Sequence, residues 1–538
     1  MIIFYIFLAI FTGVLFAVSR AINSRLGTVR GALTASYWNH LVGFLFLAAL
    51  FILLVIGGAG FSGLTGNHIP LYTYFGGLFG ALFVAINSYV FPRIGALKAI
   101  LLVTGAQIIS GLLMDHPKML TIHFLYQICG VGIILLGVHA GKKGNRIDDL
   151  LNDQSRHIEF NGHLTNHAKH AVVALYGLGA SYKKIHDYYY HYATLTPYGY
   201  PLEPKRPSRH VITKENWQQY LGKRTSFSSY YDFFHQEEKN LGMRALLQQY
   251  IPILLPGWVG SLSHGTIHLG FALDVQNRCM TLEGLAYMAF SSVSCHPEKI
   301  FLSENITAKN DTVFDSVCYV ASVLESEFPT FSNWVEEIML NTHDVISANI
   351  HPELMRSGLQ YRIAKMLAIG HPLIYSKPSW LDLENTQTIL NQLYYVVTLL
   401  YVEKPGDFLL LHLITALFSM EKIIEHLTTE QQKYALNCFW VGMLCILFSR
   451  GEFPKAETLK LLDKKYHDTV DAPLNVECAW KKIIVNAMNE EEEHNPKMVY
   501  VLRRIWKRSC YRSIFRVAAS YFTTTPILPK SFETPPTE

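Results

Sequence analysis

The sequence predicts an all-α protein in two unlike parts, a five-span transmembrane helical domain followed by an α-helical soluble domain. Three observations predict it. The charged fraction is only 16% over 538 residues and the mean hydropathy is +0.18, too apolar for an ordinary soluble chain. The apolar excess is concentrated in residues 1–141, which carry almost no charge. Beyond them the pattern is mostly helical, with little strict period-two alternation.

Five apolar runs fill the first part: Met1–Ser19, Ala32–Ile56, Leu71–Pro92, Ile94–Met114 and Thr121–Ala140. Each approaches the ~20 residues a helix needs to cross about 30 Å of hydrocarbon. The first lacks a basic segment ahead of it, which argues against a cleaved signal peptide. Arg20, Arg25 and Arg30 follow the first run, Arg93 and Lys98 the third, and Lys142, Lys143 and Arg146 the fifth. The second connection, Gly57 to Pro70, has no Lys or Arg, and the fourth has only Lys118. The positive-inside rule then puts the N-terminus outside an inner or cell membrane and the C-terminal part in the cytoplasm. Small residues such as Gly76, Gly77, Gly80 and Gly105 permit close helix approach in lipid. Asn23, Asn39, His40, Asn87, Gln107 and His123 are polar groups in or beside the spans, read either as a transport site or as interhelical hydrogen bonds.

Residues 142–156 read as a cytoplasmic linker, 157–508 as the soluble domain, and 509–538 as a C-terminal segment whose Pro-rich end, from Thr523, is disordered. Leu383–Glu403 and Phe408–Leu427 are apolar-periodic stretches, with Pro/Gly punctuation at Leu255-Pro-Gly257 and Lys404-Pro-Gly406. Several chemistries are set aside. A net charge of +4 without a Lys/Arg tract gives nucleic-acid binding no support, and 8 scattered cysteines without C-x-x-C indicate neither a zinc knuckle nor a disulfide framework. No G-x-G-x-x-G opens a helix after a strand, so no dinucleotide fold and no flavin are expected. P-loop and G-x-S-x-G motifs are also absent.

What stands out is histidine. In Phe160 to Ser181, His163, His167 and His170 fall at i, i+4 and i+7, one face of a helix if the helix spans them all. His264 and His268 repeat the i, i+4 spacing, but the glutamate of H-E-x-x-H is missing, so a zinc protease is not supported. His412 has almost wholly apolar neighbours, and His494 stands three residues before Lys497. A lone buried histidine is more often a satisfied core residue than a ligand; several, on different helices of one bundle, shift that balance toward a metal site.

The first part carries Ala21-Ile-Asn-Ser-Arg-Leu-Gly27, Ala35-Ser-Tyr-Trp-Asn-His-Leu-Val-Gly43, Gly76-Gly-Leu-Phe-Gly-Ala-Leu-Phe-Val84, Pro92-Arg-Ile-Gly95, Gly105-Ala-Gln107 and Asp115-His116. On these motifs it resembles the YdcZ-type family of the drug/metabolite transporter superfamily. It implies a half-size transporter that pairs with a second copy, a homodimer through the transmembrane half. Residues 157 to 508 resemble the questin oxidase-like family. That resemblance rests on Asn166-His167, Ala174-Leu-Tyr-Gly-Leu-Gly-Ala180, Asn216-Trp217 with Tyr220-Leu-Gly222, Leu255-Pro-Gly257, His264 with Ile267-His-Leu-Gly-Phe-Ala272, Glu283-Gly-Leu-Ala-Tyr287, Leu411-His412 with Thr415, and Glu493-His494 with Lys497.

This second resemblance implies an α-helical, oxygen-using enzyme that opens aromatic, polyketide-like rings by Baeyer–Villiger-type oxygenation, with dioxygen and NADPH. The histidine pattern suggests mononuclear non-haem iron, Fe(II). Imidazoles suit iron, copper or zinc alike, so the metal's identity comes from the resemblance. Carried over by position, His167, His264, His412 and His494 are the ligand candidates and Lys497 a fifth. His170 and His268 are reserves or supports, and Trp258 and Tyr176 are expected to line an apolar pocket. No facial-triad carboxylate is evident; Glu493 is the nearest, but as the neighbour of His494 it is expected on a different helical face. The competing reading is a small-molecule transporter whose soluble part only binds or senses a metabolite.

Overall fold

A computed structural model describes residues 11–12, 18–27, 30–57, 75–94, 102–107, 110, 130, 147–301, 312–340, 350, 354 and 357–526. The chain divides into two units, Met1–Asn145 and Arg146–Glu538.

In the first unit, helix α1 (Ala32–Ile56) has 25 residues, which at helical rise is about 37 Å. Among the described residues it alone is long and apolar enough to cross a membrane; α2 (Phe75–Ile94) has a shorter apolar stretch, Phe75–Val90. Most of the first, fourth and fifth apolar runs lie outside the described residues, as does His123. Thus one of the five expected spans is met in full. Ser36 Oγ donates to the Ala81 carbonyl at 2.7 Å, tying α1 to α2 where the small residues meet. Asn23 Nδ2 donates to Asn39 Oδ1 at 2.7 Å. Asn87 Nδ2 bonds the Phe83 carbonyl in its own helix at 2.8 Å, and Gln107 is exposed.

Among the described residues the second unit is built almost wholly from helices, with one small hairpin, Glu159–Phe160 (β1) paired with Leu164–Thr165 (β2). The helices that carry the site are α3 (Ala168–Gly177), α4 (Tyr182–Thr194), α5 (His264–Asp274), α6 (Arg278–Phe290), α7 (Phe408–Ile424), α8 (Pro473–Asn489) and α9 (His494–Arg508). α7 shows why a bundle forms. Asp407 caps it by accepting from the Leu409 and Leu410 amides. From Leu410 onward it is apolar nearly all round and buried nearly all round.

Two glycines set how closely its neighbours approach. A Cβ on Gly270 of α5 would lie 2.3 Å from the Ser419 Cα of α7, and one on Gly284 of α6 would lie 2.6 Å from the Leu269 Cα of α5. Helix α5 is thereby held between α6 and α7, which brings His264 opposite His412.

His163 lies in the hairpin turn, in the approach to the helix, which begins at Ala168. Two sequence expectations change. Part of the expected linker is packed: Ile147, Leu150 and Leu151 are buried with the core. At the other end Ile514, Phe515, Ala518 and Ala519 are buried too. Thr523 is 5% exposed, and its amide bonds Asn495 Oδ1 at 2.9 Å, so the tail is held there; 527–538 lie outside the described residues.

Candidate metal centre

Each predicted histidine is placed by a different local device. His167 is the N-cap residue of α3, after Asn166, whose side chain bonds the Ala168 amide and the His157 carbonyl. His264 opens α5 after three consecutive left-handed residues, Ser261, Leu262 and Ser263, with φ of 48°, 51° and 65°. Such backbone is costly for residues with side chains and persists only where surroundings enforce it. Here the enforcement is a buried polar network. Ser261 Oγ donates to Glu159 Oε1 at 2.7 Å, the Tyr287 hydroxyl donates to the same oxygen at 3.0 Å, and Arg224 pairs with Glu159 Oε2. His412 sits one turn inside α7. His494 is the first residue of α9, whose free amides are capped by Glu492: Oε2 accepts from the His494 and Asn495 amides at 2.8 and 3.2 Å.

The four rings form a closed circuit. Centroid separations run 4.6 Å from His167 to His264, 4.7 Å to His412, 4.8 Å to His494 and 4.6 Å back to His167. The His264–His494 diagonal is 6.3 Å. Their exposures are 2, 5, 0 and 1%.

The partners of the outer nitrogens fix the inner ones. His264 Nδ1 bonds the Ser261 carbonyl and His412 Nδ1 the Phe408 carbonyl at 2.6 Å. Carbonyls only accept, so both Nδ1 atoms carry the proton and both neutral rings present a bare lone pair at Nε2. Those Nε2 atoms face each other at 3.0 Å. His494 Nδ1 lies 2.5 Å from Glu492 Oε1, and its Nε2 has no hydrogen-bond partner among the described residues.

His167 is the exception. Its Nδ1 lies 3.0 Å from Lys497 Nζ and 3.3 Å from His170 Nδ1, and its Nε2 lies 3.7 Å from Glu493 Oε1.

Burial pushes all four imidazoles well below their ordinary range, and the charge on Lys497 adds to the effect. The rings are thus neutral donors, the form a cation requires. Two bare lone pairs at 3.0 Å repel unless something positive lies between them. About 3.0 Å is also the spacing of neighbouring ligand nitrogens at right angles on an ion with ~2.1 Å bonds. Ring nitrogens of His167, His264 and His494 all lie within 4.8 Å of one another, and Glu492, Glu493 and His494 form a second such group. The donor set fits a transition-metal ion.

The remaining expectations divide. Lys497, the fifth ligand candidate, is buried, with Nζ 3.0 Å from His167 Nδ1. His170 and His268 stand outside the ring of four and form a line away from it: His170 Nε2 to His268 Nδ1 is 2.9 Å, and His268 Nε2 to Glu283 Oε2 is 3.3 Å. Glu283 is held in turn by Lys169 at 2.7 Å to each oxygen.

Glu493 corrects the expectation that it would face away. It is the N-cap residue of α9, and its side chain reaches His167, with Oε2 unpaired among the described residues. Burial, then the charge of Glu492, raises its carboxyl, and burial likewise raises Glu492.

Tyr176 is 42% exposed, and Trp258 is core, its Nε1 donating to the Cys438 carbonyl at 2.8 Å. Neither lines a cavity described here.

Sequence reasoning passed over Glu492, Glu159, Arg224 and Ser261. Only Glu492 left a signal, as an acidic residue two positions before a candidate ligand.

Comparison with known proteins adds two matches to family models. Residues 164–502 match the model described as questin oxidase-like, and residues 4–140 match the putative inner membrane exporter YdcZ. Among curated proteins, the Baeyer-Villiger oxidase AgnL3 of Paecilomyces divaricatus is 29% identical over 135 residues. That segment is 23% of this chain and 28% of that protein, so the chain spans well under two thirds of its relative.

Proposed function

The chain belongs to the questin oxidase-like family, and from that premise we propose a membrane-tethered oxidase that inserts oxygen beside a carbonyl of an aromatic, polyketide-like substrate. The observation that carries the reading is the set of Nε2 atoms on His264, His412 and His494, each turned inward by a fixed Nδ1 partner. These three would hold an ion through Nε2, and His167 would complete the set. Iron is the proposed metal, and bound there it would supply the electron exchange with dioxygen that oxygenation of carbon needs.

The chain's own groups have separable tasks. Glu492 holds the His494 ring from behind while capping α9. Lys497 bears on His167 and orients it. Glu493 is fully buried and favoured in its protonated form, so it holds a proton at the edge of the cluster. The near-absence of solvent exposure at all four rings keeps bulk water from competing for their lone pairs.

The electron count separates the two oxygenase types. Placing one oxygen atom in the product and reducing the other to water takes two electrons, for which NADPH is the proposed donor. Placing both atoms in the product takes none from outside. The membrane unit, matched to an exporter family, is proposed to pair with a second copy, its N-terminus outside and the oxidase on the cytoplasmic face.

The test uses the full chain purified in detergent. Metal analysis should give about one transition-metal ion per chain, lost in His264→Ala. Oxygen uptake with aromatic ketones should follow the metal, and NADPH consumed per O2 identifies the type. A metal content well below one, unchanged by His264→Ala, would overturn the reading and favour a soluble part that only binds a metabolite.

A further inference from the structure

The ring of four is buried, so a substrate needs a way in, and a cavity walled by other helices does not supply it. That cavity, 710 Å³, is lined by Phe314, Tyr395, Asp463 and Arg512 and by no residue of the cluster. A smaller one of 360 Å³ lies between α4 and the end of α8, lined among others by Lys184, Tyr188, Tyr192, Leu195 and Asn489. Its wall contains Tyr192, whose hydroxyl donates to Glu493 Oε1 at 3.5 Å. Glu493 Oε1 in turn lies 3.7 Å from His167 Nε2. One side chain therefore stands between this cavity and the inward carboxylate of the cluster.

We propose that this cavity is the entrance to the buried site and the docking place of its substrate, with Tyr192 as the gate. The inference rests on the oxidase reading for what happens beyond the gate, but the entrance itself does not depend on a metal.

The lining states what docks there. The Tyr188 and Tyr192 rings are nearly parallel, 20° apart with centroids at 6.0 Å, and offer an aromatic face to a planar ring. The Tyr188 hydroxyl is buried with no partner among the described residues, and so lacks the hydrogen bond that buried hydroxyls ordinarily make. A ligand oxygen of the carbonyl or phenol type would satisfy it. The rim carries Asp187, Glu490 and Glu491 against Lys184 and His191, and Lys184 already bonds Asn489 across the opening. That charge balance disfavours a carboxylate. The ligand class is a neutral planar aromatic bearing a phenol or carbonyl oxygen.

The cavity volume lies near the lower end of the ~300–1,000 Å³ range of small-molecule sites, room for a ring system of two or three rings.

The test reads access to the cluster directly. The chelator-treated full chain in detergent is exposed to diethyl pyrocarbonate, which acylates neutral imidazole, and modification of His494 is followed by peptide mass spectrometry. 2-Naphthol serves as the neutral probe and 2-naphthoate as its anionic counterpart. Expected are slow modification in the wild type, at least tenfold faster modification in Tyr192→Ala, and at least tenfold slower modification in Leu195→Trp and under saturating 2-naphthol. 2-Naphthoate and Phe314→Trp, which fills the larger cavity, should leave the rate unchanged.

Leu195 is 50% exposed, so its variant tests the entrance even if Tyr192→Ala does not fold. A rate indifferent to Leu195→Trp and to 2-naphthol overturns the proposal, as does a rate governed by Phe314→Trp. So does a His494 that stays unmodified in both the wild type and a folded Tyr192→Ala. Metal content of the untreated preparations is read separately: a value near zero ends the metal reading and leaves the entrance standing or falling on acylation alone.

Discussion

Glu492 Oε1 lies 2.5 Å from His494 Nδ1, while Nε2 on the far side of that ring has no hydrogen-bond partner among the described residues. A carboxylate behind an imidazole fixes its tautomer and raises the basicity of the opposite nitrogen. Such supporting partners typically change metal affinity by ~10–100-fold. Glu492→Gln is therefore expected to weaken metal binding by about that factor while the chain stays folded, because the amide oxygen can still cap α9. Competition against a chelator of known affinity measures it. An affinity unchanged within twofold would show that His494 does not bind through Nε2.

The second relationship is further back. Ser261 begins the left-handed turn before His264, its carbonyl takes the His264 Nδ1 proton, and its hydroxyl is held by Glu159. Glu159→Gln leaves the buried Arg224 without its carboxylate, and breaking one side of a buried ion pair costs about 3–5 kcal/mol. Ser261→Ala removes the hydrogen bond given to Glu159 and the longer one accepted from Arg224, and is expected to cost about 1–2 kcal/mol. Both should also weaken metal binding, since the strained turn is no longer held. Denaturant unfolding and the chelator competition read the two effects separately. Loss of stability with unaltered metal affinity would make the network structural only.

Gly270 tests the packing that sets the His264–His412 spacing. Its Cβ would meet the Ser419 Cα at 2.3 Å, so backbone must move. Overpacking of this kind typically costs about 1–3 kcal/mol. Gly270→Ala should destabilise by that order and widen the 3.0 Å gap between the two Nε2 atoms. Metal stoichiometry should fall with it, whereas Gly358→Ala, where a Cβ meets nothing within 4 Å, should change neither.

These relationships explain what was legible in the sequence. His167, His264, His412, His494 and Lys497 could be named because each carries a distinctive side chain in a recognisable setting, and all five are buried together. The supports could not. The Ser261 and Phe408 carbonyls are backbone atoms that no residue identity announces. Glu159 lies 102 positions before the serine it holds. Glu493 was read against its neighbour His494 alone, and its carboxylate instead approaches His167, which comes from a different helix. The i, i+4, i+7 pattern from His163 would need one continuous helix, and a hairpin turn intervenes, which leaves His163 in the approach to α3. The helical class followed from periodicity, which survives tertiary packing. Of the spans, α1 kept the bounds the apolar run gave, and α2 is described over Phe75–Ile94 of its run, residues 71–74 lying outside the described ones.

Acid should unfold the soluble part earlier than a typical pair of carboxylates would dictate. His157 is 3% exposed, with Nδ1 bonded to the Glu159 carbonyl at 2.9 Å, and burial lowers it to about 4 from an ordinary 6.5. The unfolded chain thus binds a proton between pH 6.5 and 4 that the folded chain refuses, so stability is full above 6.5 and falls as pH drops through that window. The difference amounts to about 3 kcal/mol for this one ring. The four rings of the cluster are shifted in the same direction by burial and by Lys497, so they add to the loss, and any bound metal competes with the same protons. The thermal midpoint of the full chain in detergent should therefore decline from pH 7 to pH 5. In His157→Asn, which removes the titrating ring, the decline should be shallower by close to one proton. The raised carboxyls of Glu492 and Glu493 act with the opposite sign, so the comparison with His157→Asn is the reading that decides: a decline no shallower in that variant would mean that His157 is not held neutral in the folded protein.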